Sequence, residues 1–219
     1  MAIGTDPEFN SAFARLREFA RQRPFVERCE MCSRELLPDH EHLVEPRSHK
    51  ILCACEECAI LFDGRHGAKY KRVPHTVQFL RGFQLTDSQW DGLMIPIEMA
   101  FFFKSGPLGR VVALYPSPAG AVESQLSLDT WAGVVRANPV LEEVDSDTVA
   151  LLVNRVSAAR TAEPAEYFIV PIDECYKLVG LIRAHWRGFA GGTEVWQAIS
   201  TFFAELRKRS LVQSESTRA

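Results

Sequence analysis

The sequence predicts an α+β fold, made of a small cysteine-rich module near the N-terminus and a sheet-and-helix domain behind it. Five of the six cysteines and three of the six histidines lie between residues 29 and 58. From residue 73 onward the chain changes to long apolar segments, in which predicted strands bounded by glycine or proline are followed by segments of helical periodicity. Such a succession is typical of an α+β domain, and we expect its helices to cover one face of the sheet.

The chain of 219 residues divides into five parts. Residues 1–10 have the character of vector-derived sequence and are left out of the fold. An amphipathic helix is predicted at 11–24, and the cysteine-rich module follows at 25–72. The α+β domain is predicted at 73–210, and the polar tail at 211–219 is expected to be disordered.

Three local signals mark the module and the start of the domain. A short helix is expected to begin at Cys55 and to end near Phe62. The segment 64–72 carries two glycines and four cationic side chains, which is the composition of a mobile basic loop. Thr86, with Gln89 three residues later, has the form of a capping box and predicts another short helix.

Apolar segments bounded by turn residues predict the strands of the α+β domain. Residues 95–104 and 110–115 form two strands, joined by a turn at 105–107. Residues 148–153 and 167–170 predict two further strands. These strands would supply the sheet of the domain.

Three segments of the same domain have helical periodicity. Residues 128–136 predict a helix that stops before Pro139, and residues 171–186 predict one with proline at its first turn. The last helix is predicted at 193–209 and ends in basic residues, which suit a helix C-terminus. Cys175 lies on the apolar stripe of the second helix and is expected in the core.

Composition excludes several classes of function. A net charge of −3 gives no overall attraction to nucleic acid, which we treat as an unlikely partner. No stretch approaches the roughly 20 apolar residues that a membrane span needs. The sequence shows no secretory signal pattern, so we expect a cytoplasmic protein with reduced thiols. Reduced thiols favour metal binding over disulfides.

The cysteine spacing predicts a tetrahedral metal site. Two Cys-x-x-Cys pairs, Cys29/Cys32 and Cys55/Cys58, can each wrap one side of an ion. Four thiolates make a closed site, which is structural because no position remains for a substrate. Zinc is the first candidate for the ion, and a single iron is the alternative.

Other ligand sets remain open at this point. Cys53 could pair with Cys55 and leave Cys58 spare, or His40 or His42 could replace one thiolate. Seven donors are too many for one ion, so some must support the ligands or bind something else. The full candidate set is Cys29, Cys32, Cys53, Cys55, Cys58, His40 and His42.

No cysteine stands apart from the metal pattern as a candidate nucleophile, so the sequence favours a non-catalytic protein. The outer face of the domain or the basic loop would then dock a protein partner. Trp186, Arg187 and Trp196 are candidate anchors, because buried aromatic residues and arginine dominate interface energies.

The module resembles the recombination-endonuclease VII branch of the HNH nucleases. The matching residues are Cys29-x-x-Cys32, Asp39-His40-Glu41-His42, and Ile51-Leu52-Cys53 followed by Cys55 and Cys58. The resemblance implies a treble-clef-like zinc unit in which Asp39 and His40 bind a catalytic divalent ion. The sequence departs from the family after the last cysteine, where Ala59 replaces an asparagine that ligates that ion.

The whole chain, from about residue 12 to 209, resembles a bacterial family found with actinobacterial-type [NiFe] hydrogenases. The motifs that carry the resemblance are Cys29-x-x-Cys32, His40-Glu41-His42-Leu43, Leu52-Cys53-Ala54-Cys55-x-x-Cys58, Tyr167-Phe168-Ile169-Val170-Pro171 and His185-Trp186-Arg187-Gly188-Phe189. The resemblance implies an accessory role, with a hydrogenase subunit or maturation factor as the protein partner.

The sequence therefore predicts a metal-binding accessory protein with a treble-clef or zinc-ribbon-like module. Two alternatives have different chemistry. A rubredoxin-like electron carrier would hold one iron between its paired cysteines, although Ser33 and Ala59 stand where rubredoxins have glycine. An HNH-type nuclease would use a second, catalytic metal ion.

Overall fold

The structure is a computed structural model that describes residues 26–64, 69–156, 164–188 and 191–213. The predicted vector-derived segment at 1–10 and the helix at 11–24 lie outside the described residues. So do four residues of the basic loop and the end of the predicted tail, at 214–219.

Strands and helices are mixed throughout the described chain. In chain order, the strands are β1 (Glu41–Glu45), β2 (Lys50–Ala54), β3 (Lys71–Arg72), β4 (Gln78–Leu80), β5 (Met99–Ser105), β6 (Arg110–Ser117), β7 (Gly120–Glu123), β8 (Val149–Asn154), β9 (Glu166–Pro171) and β10 (Leu211–Gln213). The helices are α1 (Glu56–Phe62), α2 (Asp87–Gly92), α3 (Leu128–Ala137), α4 (Ile172–His185) and α5 (Gly192–Arg209), and a 3₁₀ turn spans Pro139–Glu142.

The cysteine-rich module is built on a small antiparallel sheet in the order β2-β1-β3. β1 and β2 form a hairpin in which Leu43 lies opposite Leu52, and Val44 lies opposite Ile51. Side chains alternate between the two faces of a strand, so these two pairs point in opposite directions. Leu43 and Leu52 pack with the cysteines. Val44 and Ile51 pack into the core of the larger domain.

The larger domain is built on a seven-stranded sheet in the order β10-β4-β9-β8-β5-β6-β7. All neighbouring strands are antiparallel except β10 and β4, which are parallel. The central strands are apolar on both faces, and every residue of β8 and β9 is buried. A sheet of this kind must be covered on both sides.

Helices do cover both faces of the large sheet, so the expectation of helices on one face is wrong. On one face, Phe101 and Phe103 of β5 belong to the same apolar cluster as residues of α4 and α5. On the other face, Phe102 packs with Trp90 of α2 and Val134 of α3. The run of three phenylalanines in β5 is the local cause, because successive residues of a strand face opposite sides.

Several predicted elements are present with small shifts at their ends. The capping box at Thr86 is formed, since Thr86 accepts from the backbone N–H of Gln89 and the Gln89 side chain accepts from that of Thr86. The strand predicted to start at residue 95 starts at Met99 instead. Residues 211–213, placed in the tail by the sequence, form β10 and pair with β4.

The module packs directly on the domain through polar contacts as well as through Val44. Lys71 of β3 donates to the carboxylate of Asp147 at 2.8 Å, and Asp147 is only 1 % exposed. His42 of β1 makes a hydrogen bond of 2.8 Å with Asp173, in the first turn of α4. The small sheet therefore contacts two different parts of the domain.

Candidate metal centre

Four cysteines converge at one end of the module. Cys29 and Cys32 lie on a tight turn before β1, in which Ser33 adopts a left-handed backbone conformation with φ 64°. Cys55 is the N-cap residue of α1, and Cys58 lies inside that helix. The sulfur atoms of all four lie within 4.8 Å of one another, so the group could hold a metal ion.

The local backbone favours negative charge on the first of these thiols. Burial pushes the pKa of Cys29 up, but backbone N–H groups of Cys55, Cys32 and Met31 outweigh burial and bring the pKa down to about 6. Donors aimed at a sulfur stabilise the thiolate, which is the form that binds a metal.

The pKa of the fourth thiol, that of Cys58, is shifted in the opposite direction. Burial, followed by hydrogen bonds with the thiols of Cys55, Cys32 and Cys29, raises the pKa of Cys58 to about 12. The sulfurs of Cys32 and Cys55 are 3.7 Å apart, so thiolates in this group would repel one another. A bound cation would remove this repulsion, and the donor set therefore fits a divalent ion.

The four cysteines pack against a very small apolar core. Leu43, Ala54 and Ala59 are completely buried beside the cysteines. Ala59, which follows the last cysteine of the group, packs with Leu43 and Leu52 of the hairpin. Its methyl side chain contributes packing to this core.

The remaining three candidate ligands form a second group. One donor atom from each of His40, His42 and Cys53 lies within 4.8 Å of the others. The hairpin register explains this grouping, since His42 lies directly opposite Cys53. The hydrogen bond from His42 to Asp173 raises the pKa of the imidazole. The seven predicted donors are thus divided into four and three.

A polar cleft of about 670 Å³ opens beside the two groups. Cys55 of the first group and His40 of the second group line it. The exposed Asp39, which the nuclease resemblance pairs with His40, also lines this cleft. Its other lining residues are Arg34, Glu35, Leu36, Leu37, Glu41, Glu56, His75 and Arg209.

The sequence offered no signal for the residues that support these groups from elsewhere in the chain. Asp173 is 131 positions away from its partner His42, and it lies in a helix that the sequence assigned only to packing. Cys175, two residues later, is fully buried in the core as expected, and burial raises the pKa of its thiol well above the usual value.

The candidate docking residues lie far along the chain from both groups. Trp186 and Trp196 line an apolar pocket of about 250 Å³, and their ring centroids are 6.5 Å apart. The indole N–H of Trp186 donates to the carbonyl of Gly188 at 3.0 Å. The pocket is also lined by Ile182 of α4 and Ile199 of α5.

None of the helices in the described part of the chain is both long enough and apolar enough to cross a membrane.

Comparison with known proteins gives one match. No curated protein and no solved structure is significantly similar to this chain. One family model, described as a family of unknown function (DUF5947), matches residues 28–210. The match includes both groups of candidate ligands and nearly all of the large sheet. The chain therefore belongs to this family of unknown function.

Proposed function

We propose that Cys29, Cys32, Cys55 and Cys58 bind one zinc ion, and that this ion holds the module in its folded form. The observation that carries the proposal is the convergence of four sulfur atoms within 4.8 Å. Four thiolates fill a tetrahedral shell, so the ion has no position for a substrate and its role is structural.

The size of the module supports a structural role for the ion. The apolar residues beside the cysteines are few, and a core of that size is too small to fold a segment of this length alone. In small metal-binding modules, the binding free energy of the ion is available as folding free energy. The ion would hold α1 against the hairpin and so keep the polar cleft in shape.

We further propose that the protein is a non-catalytic accessory factor that assists the assembly or function of a [NiFe] hydrogenase. The support is the resemblance of the whole chain to the hydrogenase-associated family. The apolar pocket at Trp186 and Trp196 offers a place for an apolar side chain of a hydrogenase subunit or maturation factor.

The test of the metal is elemental analysis with a visible spectrum, on full-length protein purified without chelator. We expect zinc and no colour, and Cys32→Ser should lose the zinc because it removes one of four ligands. One iron per chain with thiolate charge-transfer bands would instead identify a rubredoxin-like electron carrier. Absence of any metal from the four-cysteine group would refute the proposal.

The accessory role needs a separate experiment. Tagged full-length protein, recovered from hydrogenase-expressing cells, should bring hydrogenase subunits or maturation factors with it. The matched control is a variant with Trp186→Ala and Trp196→Ala, which should lose them while it retains its zinc. Recovery of no hydrogenase component with the unaltered protein would overturn this role.

A further inference from the structure

We propose that His40, His42 and Cys53 form a second metal site, with three protein ligands, for a divalent transition-metal ion such as Zn²⁺ or Co²⁺. This site is separate from the four-cysteine site and does not depend on it for its ligands. One donor atom from each residue lies within 4.8 Å of the others.

His40 carries the clearest signal for a missing ligand. Its Nδ1 lies 2.8 Å from the carbonyl oxygen of Leu37 and therefore carries the proton, because a carbonyl can only accept. Its Nε2 then bears a free lone pair. That atom is buried and has no hydrogen-bond partner among the residues that the structure describes, and the side chain as a whole is only 7 % exposed. A buried nitrogen without a partner costs free energy unless something binds it.

The imidazole of His42 is oriented in the same way, by a hydrogen bond to a different residue. Its Nδ1 lies 2.8 Å from a carboxylate oxygen of Asp173, which fixes the ring and leaves Nε2 as the free nitrogen. Metal-binding histidines in proteins commonly donate their second N–H to a carboxylate or a carbonyl. His42 has the carboxylate, and His40 has the carbonyl.

The hairpin places the third ligand on the same face. Residues 40 and 42 are two positions apart, and the register sets Cys53 opposite His42. Val44 and Ile51, on this face, pack toward the large domain, whereas Leu43 and Leu52 on the opposite face pack with the four cysteines. The two groups of ligands therefore lie on opposite sides of the hairpin.

The surrounding charges suit a cation. A carboxylate oxygen of Glu27 lies 3.6 Å from Nδ1 of His40, and Glu30 accepts from the backbone N–H of Cys53 at 3.2 Å. Two imidazoles and one thiolate form a borderline-soft donor set that suits Zn²⁺ and Co²⁺ better than Mg²⁺. Three protein ligands leave at least one position for water or for a donor from another molecule.

The test is a Co²⁺ titration of full-length protein as purified, with zinc content measured in parallel. We expect one Co²⁺ to bind in addition to the zinc, with ligand-field bands and a thiolate charge-transfer band. Cys53→Ser and His40→Ala should lose this binding and keep the zinc. Asp173→Asn should weaken Co²⁺ binding about 10–100-fold, because the carboxylate orients His42.

The matched control is His75→Ala. His75 is nearby and 60 % exposed, and it contacts Glu41 but belongs to neither group, so its loss should leave Co²⁺ binding unchanged. No Co²⁺ binding by the unaltered protein, or binding that survives Cys53→Ser, would overturn the proposal. Protein that contains no metal at the four cysteines as purified, yet binds Co²⁺ in a way that Cys53→Ser abolishes, would refute the four-cysteine proposal and support this one.

Discussion

The ion pair between Lys71 and Asp147 gives a quantitative test of how the module is held on the domain. Asp147 is 1 % exposed and accepts from Lys71 and from the backbone N–H of Gly106, both at 2.8 Å. Lys71→Met removes the cation and leaves a buried carboxylate with fewer partners. Removing one member of a fully buried pair costs about 3–5 kcal/mol.

The expected cost is smaller here, because the Lys71 side chain is 37 % exposed and water reaches it. We therefore expect Lys71→Met to lower the free energy of unfolding by about 2–3 kcal/mol. In a chain of this size that corresponds to a fall of roughly 4–12 °C in Tm. Urea denaturation and calorimetry of the full-length protein measure the two quantities.

Two controls separate the ion pair from the loss of a long side chain. Lys69→Met removes a lysine that is 68 % exposed and lies 3.7 Å from Glu45, and it should leave the free energy of unfolding nearly unchanged. Asp147→Asn in the Lys71→Met background should recover part of the loss, because it removes the unpaired charge. Asparagine tolerates the left-handed backbone of position 147, where φ is 71°. A Lys71→Met variant as stable as the unaltered protein would refute the reasoning.

Three further changes have defined outcomes. Asn138→Ala should cost about 2–4 kcal/mol in urea denaturation, because the buried amide of Asn138 bonds both the N–H and the carbonyl of Gln84. Burial raises the pKa of Tyr176 to about 12 from an ordinary value of 10.0, so the unfolded chain loses the phenol proton first. Stability should therefore fall as pH rises from 10 to 12, by at most about 2–3 kcal/mol, and Tyr176→Phe should remove that part of the fall. Removal of zinc by a chelator should speed amide exchange in α1 and β2 while β8 stays protected, and equal exchange before and after chelation would contradict the structural role.

The elements that could be predicted from sequence are those with a strong local signal. Thr86 and Gln89 form reciprocal hydrogen bonds within one turn, so the start of the helix is determined by local sequence and does not depend on tertiary contacts. The β5–β6 hairpin likewise follows from two apolar segments around a turn, with Ser105 paired to Arg110. Local chemistry determines these elements, and the structure contains them.

The two short strands at one end of the large sheet, β4 and β10, could not be predicted, because pairing with their neighbours determines their conformation. β4 has three residues and β10 has three, and each is extended because it pairs with a neighbour distant in sequence. The second covered face of the sheet did have a signal in the sequence. Successive residues of β8 are apolar, and a strand that is apolar on both faces requires cover on both sides.

Cysteine spacing identified the candidate ligands but could not divide them among sites. Cys53 and Cys55 are only two residues apart, so spacing alone treats them as interchangeable. The structure distinguishes them because β2 ends at Ala54: Cys53 still follows the alternation of the strand, whereas Cys55 caps α1. The end of one strand thus assigns two nearby thiols to different groups.

The hairpin of β1 and β2 would then couple the two proposed metal sites. A zinc ion at the four cysteines would hold α1 and the turn before β1 against the face that carries Leu43 and Leu52. A slip of one residue in the hairpin would move every side chain to the other face, so any contact that fixes that face also fixes the register. The register in turn sets Cys53 opposite His42. Loss of the structural ion should therefore weaken the second site, although the two share no ligand.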